Sequence, residues 1–380
     1  MRIKVARDDL ARMLDNAKGL VERRTTMPIL NNVLLETLQD ELSLRSTDLQ
    51  VTYQGKCHAE VEREGALCLP AHKLAELVKL LPEEHAHLEG KDHDATLTAG
   101  KVRYHLKGLP FADFPQPRSQ QDQAPPLYLE NGAALRNTIG RVAYAASTNE
   151  KTQVINGVHL EIRPDGADKV LRLVATNGHR MALCDLELAS SETPDPGDGL
   201  LLPVKSCSAM HRVLREGAVT LGLSKDLVSL EANGDSLLIL PQGPKFPDYS
   251  MVLPKAHPHR AVLRRVDLVE ALKRVEAIDP AKDRAVNLCF QEGLLELAAF
   301  AEVGDAAEHL EMDWDGEEMT MCLNPRYLRE ACDCLEGDEV TLVLKGPDDV
   351  VKVVSYAEQD AGYLGVIVPR YDNPAKGGKK

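Results

Sequence analysis

Three stretches of the chain alternate apolar and polar residues in the same manner. They are Leu42-Ser43-Leu44-Arg45-Ser46-Thr47-Asp48, Leu171-Arg172-Leu173-Val174-Ala175-Thr176-Asn177 and the weaker Leu295-Glu296-Leu297-Ala298-Ala299-Phe300. A period of two sends every second side chain to one face, so each predicts a strand with one covered side. The starts, at residues 42, 171 and 295, are spaced by close to one third of the 380-residue chain. Helical spacing repeats in step: Leu10, Leu14 and Ala17, then Leu135, Ile139 and Val142, then Leu268, Leu272 and Val275. A second helix follows a proline in each third, over 73–81 after Leu69-Pro70, 207–214 after Leu202-Pro203 and 327–332 after Asn324-Pro325. Proline suits the opening turn of a helix, where its missing N–H costs nothing.

Every third thus reads as strand, helix, strands, helix, strands. Segments such as Val102-Arg103-Tyr104-His105-Leu106 and Val340-Thr341-Leu342-Val343-Leu344 add further strands. The pattern predicts an α+β chain of three similar domains, since self-similarity at a fixed period marks a repeated unit. Proline-rich stretches from Pro110 to Pro126 and near Pro254 to Pro258 place the domains at 1–126, 127–254 and 255–371. The remainder, 372–380, lacks apolar anchors and reads as a flexible tail.

Composition adds constraints. The 43% of hydrophobic residues supports sizeable cores, and no apolar run approaches the roughly 18 residues a membrane helix needs. Met1-Arg2-Ile3-Lys4-Val5 is not a secretory signal, and eight scattered cysteines fit a reducing cytoplasm better than a disulfide scaffold. The net charge of −14 argues against nucleic acid, which wants a basic footprint. The distribution weakens that argument. Between Glu302 and Glu318 lie eight acids and no lysine or arginine, whereas the helical segments of all three repeats carry basic residues, among them Arg136, Lys205, Arg212, Arg215, Lys273 and Arg274.

Chemistry is scarce. Cys332-x-Cys334 has no second pair at zinc spacing, and His85-x-His87 and His257-x-His259 sit in polar or proline-flanked segments that predict solvated rings. No phosphate-cradling glycine loop or nucleophile elbow occurs. Asp48, His179 and Asp185 could be assembled into an acid–base set, but their spacing specifies no geometry. Two clusters stand out: Thr176-Asn177-Gly178-His179-Arg180-Met181, which reads as a tight turn, and the apolar connector Phe246 to Pro254. Together they suggest a groove for a partner peptide.

Met27-Pro28-Ile29-Leu30-Asn31-Asn32, Ser46-Thr47-Asp48-Leu49, Ile155-Asn156-Gly157, Val174 to Ala182, Phe246-Pro247-Asp248-Tyr249 and Val366 to Arg370 resemble the bacterial DNA polymerase III β subunit, the sliding clamps. The resemblance runs from Met1 to about Tyr371. It implies a non-enzymatic processivity factor, without metal or cofactor. Two copies would join head to tail, closing six domains into a ring around duplex DNA with sheets outside and two helices per domain inside. It implies sequence-independent DNA contacts at Arg24, His72 or Lys73, Asn149, Gln153 and Val154. It implies a partner-peptide groove at Ile155, Thr176, Gly178, His179, Arg180, Met181, Pro247, Met251, Val252, Val366, Val368, Pro369 and Arg370. That groove would receive linear motifs of the polymerase catalytic subunit, the clamp loader, other polymerases and mismatch-repair proteins. The subunit interface would set Tyr104 and Leu106 against Ala277 and Ile278. The 372–380 tail extends past the family's usual end and would shield the groove or touch emerging DNA.

Overall fold

The computed structural model describes residues 1–21, 26–116, 125–149, 151–166, 168–188, 197–243, 245–253, 257–278 and 285–370. Arg24 and the 372–380 tail lie outside the described residues. Six helices fall two to a repeat: α1 (Arg7–Lys18) and α2 (Ala71–Lys79), α3 (Gly132–Ala143) and α4 (Val204–Val213), α5 (Arg265–Glu276) and α6 (Pro325–Asp333). All nine apolar positions that defined the first helix of each repeat are at most 2% exposed. Removing a leucine of this kind from water contributes about 1.5–3 kcal/mol, so this one face anchors each helix to its sheet. Pro70 and Pro203 precede their helices and Pro325 begins α6, whose N-cap Asn324 accepts from the amides of Arg326 and Tyr327.

The three alternating stretches form antiparallel strands at Glu41–Thr47, Asp168–Thr176 and Leu294–Ala301. Each is the second strand of a meander that returns through a hairpin, to Val51–Arg63, Arg180–Leu188 and Gly304–Glu311 respectively. His257 and His259 are not simply solvated: His257 Nε2 lies 2.8 Å from the Val350 carbonyl, and His259 packs 5.7 Å from the Trp314 ring.

Contacts divide the chain into two compact units, 1–136 with 188–243 and 137–187 with 244–380. The middle repeat is therefore shared out, and strand pairing explains why. In the first unit Val51–Arg63 of the first repeat pairs antiparallel with Asp235–Ile239 of the second, joining their strands in a 12-stranded sheet. In the second unit Arg180–Leu188 of the middle repeat pairs with Tyr363–Ile367 of the third. In each unit a continuous ladder joins one part of the middle repeat to a whole neighbouring repeat.

Candidate functional site

Within the second unit the hairpin between Asp168–Thr176 and Arg180–Leu188 is fixed by its own side chains. Asn177 Oδ1 accepts from the amides of His179 (3.0 Å) and Arg180 (3.1 Å). Thr176 Oγ1 accepts from the Gly178 amide at 3.1 Å and donates to the Arg180 carbonyl at 2.7 Å. The turn needs a left-handed residue, and Gly178 supplies it at φ 88°, with open space where a Cβ would stand. The ladder brings Met181 opposite Val366, and the Val368 amide continues it to the His179 carbonyl at 2.9 Å. Ser147 N is 3.1 Å from both the Ile155 and Thr176 carbonyls, tying the 147–156 loop to the hairpin.

The connector carrying Pro247, Met251 and Val252 is seated on the adjacent strand Gly157–Asp165. Phe246 stacks on His159 with ring centroids 4.8 Å apart, and the Tyr249 hydroxyl donates to Glu161 while accepting from Arg163. Burial would raise the Glu161 pKa, but hydrogen bonds from His159 and Tyr249 hold it below the ordinary carboxyl value. Pinned at these rings, the connector leaves Met251 85% and Val252 49% exposed, beside exposed Pro247. A flexible methionine held in water suits adaptable contact with several peptides.

The thirteen groove positions expected from sequence thus separate into layers. Gly178, His179, Pro247, Met251 and Val252 are exposed; Ile155, Thr176, Val368 and Arg370 are half-buried; Arg180, Met181, Val366 and Pro369 lie beneath. Arg180 is the informative case. Its guanidinium sits 4.9 Å from the Tyr144 ring centroid and 4.4 Å from that of Tyr327, donates to the Tyr144 carbonyl at 2.5 Å and pairs with Glu330. At 7% exposure it braces α6 under the hairpin rather than presenting charge to a ligand. The partners Tyr144, just after α3, and Tyr327 and Glu330 of α6 escaped sequence reasoning because nothing in their spacing marks a neighbour across repeats.

The first unit gathers basic side chains from four helices into one cleft. A cleft of about 690 Å³ is lined from α1 and its end by Asp15, Asn16, Lys18 and Gly19, and from α2 by His72 and Lys79. Arg136 of α3 lines it too, as do His211, Arg212, Leu214 and Arg215 from α4 and the turn after it. His72 thus faces a concentration of positive charge. Lys73 is instead exposed and paired with Glu76 at 2.9 Å. Asn149, Gln153 and Val154 are exposed on the 147–156 loop of the other unit, where Asn149 Oδ1 accepts from the Lys151 amide at 3.0 Å. Tyr104 and Leu106 lie on strand Val102–Lys107, which ends its sheet. Ala277 and Ile278 follow α5, with Ile278 Cδ1 4.0 Å from where a Cβ on Gly304 would stand.

An acid–base set is not assembled. Asp48 is paired with Lys205 at 2.6 Å, and Asp185 accepts two hydrogen bonds from Arg172 at 2.7 and 2.6 Å. No helix among the described residues is long and apolar enough to cross a membrane.

Family models of the DNA polymerase III beta subunit match the chain in series, the N-terminal domain over residues 1–117, the central domain over 131–248 and the C-terminal domain over 250–369. The beta sliding clamp of Caulobacter vibrioides is 30% identical over 370 residues, covering 96% of this chain and 98% of that protein. The beta sliding clamp of Pseudomonas putida is also 30% identical, over 371 residues, with the same coverage. A crystal structure of the Caulobacter crescentus clamp, 30% identical, superposes with a TM-score of 0.89 over 97% of this chain and 98% of that one. A Bartonella birtlesii DnaN sliding clamp bound to griselimycin, 28% identical, superposes with a TM-score of 0.90 over 97% of this chain and 99% of that one. The repeated fold, the layered hairpin site and these full-length likenesses agree: the chain belongs to the bacterial DNA polymerase III β subunit family, the beta sliding clamps, non-catalytic processivity factors of the replicative polymerase.

Proposed function

We propose that two copies of this chain close head to tail into a ring around duplex DNA, and that the hairpin site of each receives linear peptides of the replication machinery. The observation that carries the ring is a pair of unused edges. Inside the chain, Asp235–Ile239 pairs with Gly55–Val51, and Tyr363–Ile367 pairs with Cys184–Arg180. The equivalent strands Val102–Lys107 and Gly304–Glu311 end their sheets with no further strand paired to them among the described residues. An exposed edge invites another strand, and two complementary edges on one chain generate a closed head-to-tail assembly.

The internal pairings also suggest a register. The hairpin pair Ala99–Val102 corresponds to Ala232–Asp235, and Ala301–Gly304 corresponds to the turn pairs ending at Val51 and Arg180. Leu106 then stands opposite Gly304 of the second copy, next to Ile278, and His105 stands opposite Asp305. The basic edge (Arg103, His105, Lys107) meets the acidic one (Asp305, Glu308, Glu311), which accounts for much of the acidic run. Domains at 1–126, 127–254 and 255–371 remain the repeat boundaries under this reading.

A ring retains DNA by topology, so the helices need only a mildly basic lining that contacts phosphate without reading bases. Arg24, His72 or Lys73, Asn149, Gln153 and Val154 are assigned to that lining, and the exposed and half-buried groove residues to peptides of the polymerase catalytic subunit, the clamp loader, other polymerases and mismatch-repair proteins. Such work belongs in the bacterial cytoplasm. Sedimentation tests the ring: the chain should be a dimer, Asp305→Lys should shift it to monomer, and exchanging the pair (His105→Asp with Asp305→His) should restore it. A monomeric parent chain would overturn the reading.

A further inference from the structure

We propose that the cleft between α1, α2, α3 and α4 is a proton-linked phosphate site, in which His211 takes up a proton from solvent as a phosphate enters. This rests on the clamp reading for the source of the phosphate, the backbone of duplex DNA, but the cleft itself stands on geometry.

Five cations converge there, and only Asp15 opposes them. Asp15 pairs with Lys79 at 2.7 Å. Lys18, Arg212 and Arg215 have no carboxylate within ion-pair distance among the described residues, and Arg136 points its Nε at His211 Nε2, 3.3 Å away. An imidazole nitrogen facing a guanidinium N–H accepts, so in the empty cleft His211 is neutral at that nitrogen. The crowd is built in. A Cβ on Gly19 would fall 1.5 Å from an Arg212 guanidinium nitrogen, so the bare backbone at the end of α1 is what admits Arg212. That helix end carries partial negative charge, which holds the cation in place.

Concentrated like charge without a counterion is unfavourable until an anion arrives. Around His211 the charged groups are Arg136 from α3, Arg212 from its own helix, Arg215 from the turn after it, Asp15 and Lys18 from α1, and Lys79 from α2, with His72 on the same wall. Burial, then Arg136 and Arg212, hold its pKa below the ordinary histidine value. A phosphate oxygen entering among these cations reverses the sign of the local field. The imidazole then gains a proton and becomes a further donor to the anion. Affinity should therefore rise as pH falls through the histidine range and level off once the empty site is itself protonated.

The test uses the full chain with two probes, inorganic tripolyphosphate and a short linear duplex, at low salt. Between about pH 8 and pH 6 both should bind several-fold more tightly. Calorimetry in two buffers of different ionisation enthalpy should show net proton uptake. His211→Gln should retain the weaker binding at high pH and lose the gain. The pair Arg136→Gln with Arg212→Gln should lower tripolyphosphate affinity about tenfold or more and flatten the salt dependence of duplex binding by about two units of slope. Competition between the probes assigns the cleft to DNA backbone, and tripolyphosphate binding without competition assigns it to free nucleotide polyphosphates. Tripolyphosphate reads the cleft even if ring formation fails. Unaltered affinity in the double variant would overturn the site, and absence of proton uptake by the parent chain would overturn its linkage to His211.

Discussion

The chain uses one hairpin twice and finishes it differently each time. At the junction of the first and second repeats, Asp48 and Val51 close a turn whose left-handed position, φ 76°, is held by Leu49. At the junction of the second and third, Asn177 and Arg180 close the same turn around Gly178. Both are extended identically by the strand beside them: Leu240 donates to the Gln50 carbonyl and Val368 to that of His179, each at 2.9 Å. The difference is in side chains. Lys205 clamps Asp48 from outside the turn in the first case, whereas in the second Asn177, besides capping its own turn, reaches outward through a long 3.4 Å contact with the Tyr327 hydroxyl. A leucine in left-handed backbone costs about 1–2 kcal/mol, and here its side chain stands 50% exposed on the turn. Glycine leaves the corresponding surface bare. One copy of the device is closed by a side chain and the other is open.

The layers beneath differ too. Under the closed junction, buried Asp235 accepts from Arg12 at 2.6 Å, Asn16 at 3.0 Å and the Tyr53 hydroxyl at 2.9 Å. Removing its carboxylate with Asp235→Ala strands three donors at once and should cost about 3–5 kcal/mol. The measurement is the denaturant midpoint, with affinity for an apolar groove peptide unchanged. A loss of peptide affinity without loss of stability would erase the distinction between the junctions.

Gly178→Leu imposes the closed design on the open site. Backbone strain should limit the stability cost to about 1–2 kcal/mol, since no neighbour stands where the Cβ would go. The side chain, however, would stand in the open space at the exposed turn, on the face proposed to receive peptides, and peptide affinity should fall by more than about tenfold. The reciprocal Leu49→Gly trades relief of strain against a looser unfolded chain and should change stability by less than about 1 kcal/mol. Fluorescence anisotropy of a labelled peptide on both variants reads the contrast directly.

The sequence made the repeats legible because amphipathic helices and alternating strands are local patterns. Leu10, Leu135 and Leu268 announce equivalent helices without reference to anything distant. The turn at Asn177-Gly178 was legible for the same reason. What links repeats was not. Asp235 lies at the start of an ordinary strand, and only the pairing with Gly55 brings it to Tyr53 and Arg12. Arg180 matched a groove motif by position, yet its charge is spent on Glu330 and two tyrosine rings, a fate set by α6, about 150 residues away. The −14 net charge misled for a related cause: an average over the chain cannot separate an acidic sheet edge from basic helices.

A titration separates the two junctions by the smallest effect. Burial, then Asp235, raises the Tyr53 pKa, and burial likewise raises those of Tyr144 and Tyr363. Both junctions therefore contribute stability that is present below about pH 10 and lost as pH climbs beyond it. The alkaline limb cannot tell them apart. The acid limb can. Burial would raise the Glu330 pKa, but hydrogen bonds from Arg180 and Arg326 outweigh it and hold the carboxyl below its ordinary value. A depressed carboxyl stabilises the fold above its unfolded value, near about 4.3, and ceases to do so as pH falls through its folded one. Glu330→Gln keeps the shape and removes the charge. It should lower the melting temperature at neutral pH and flatten its fall below about pH 4, by about 2–4 °C over that limb. Asn16→Asp, which alters the closed junction, should leave the slope conferred by Glu330 in place. An acid limb unchanged by Glu330→Gln would mean that Arg180 is held by its tyrosine rings and the Tyr144 carbonyl alone, and that the open junction owes its rigidity to packing rather than to the ion pair.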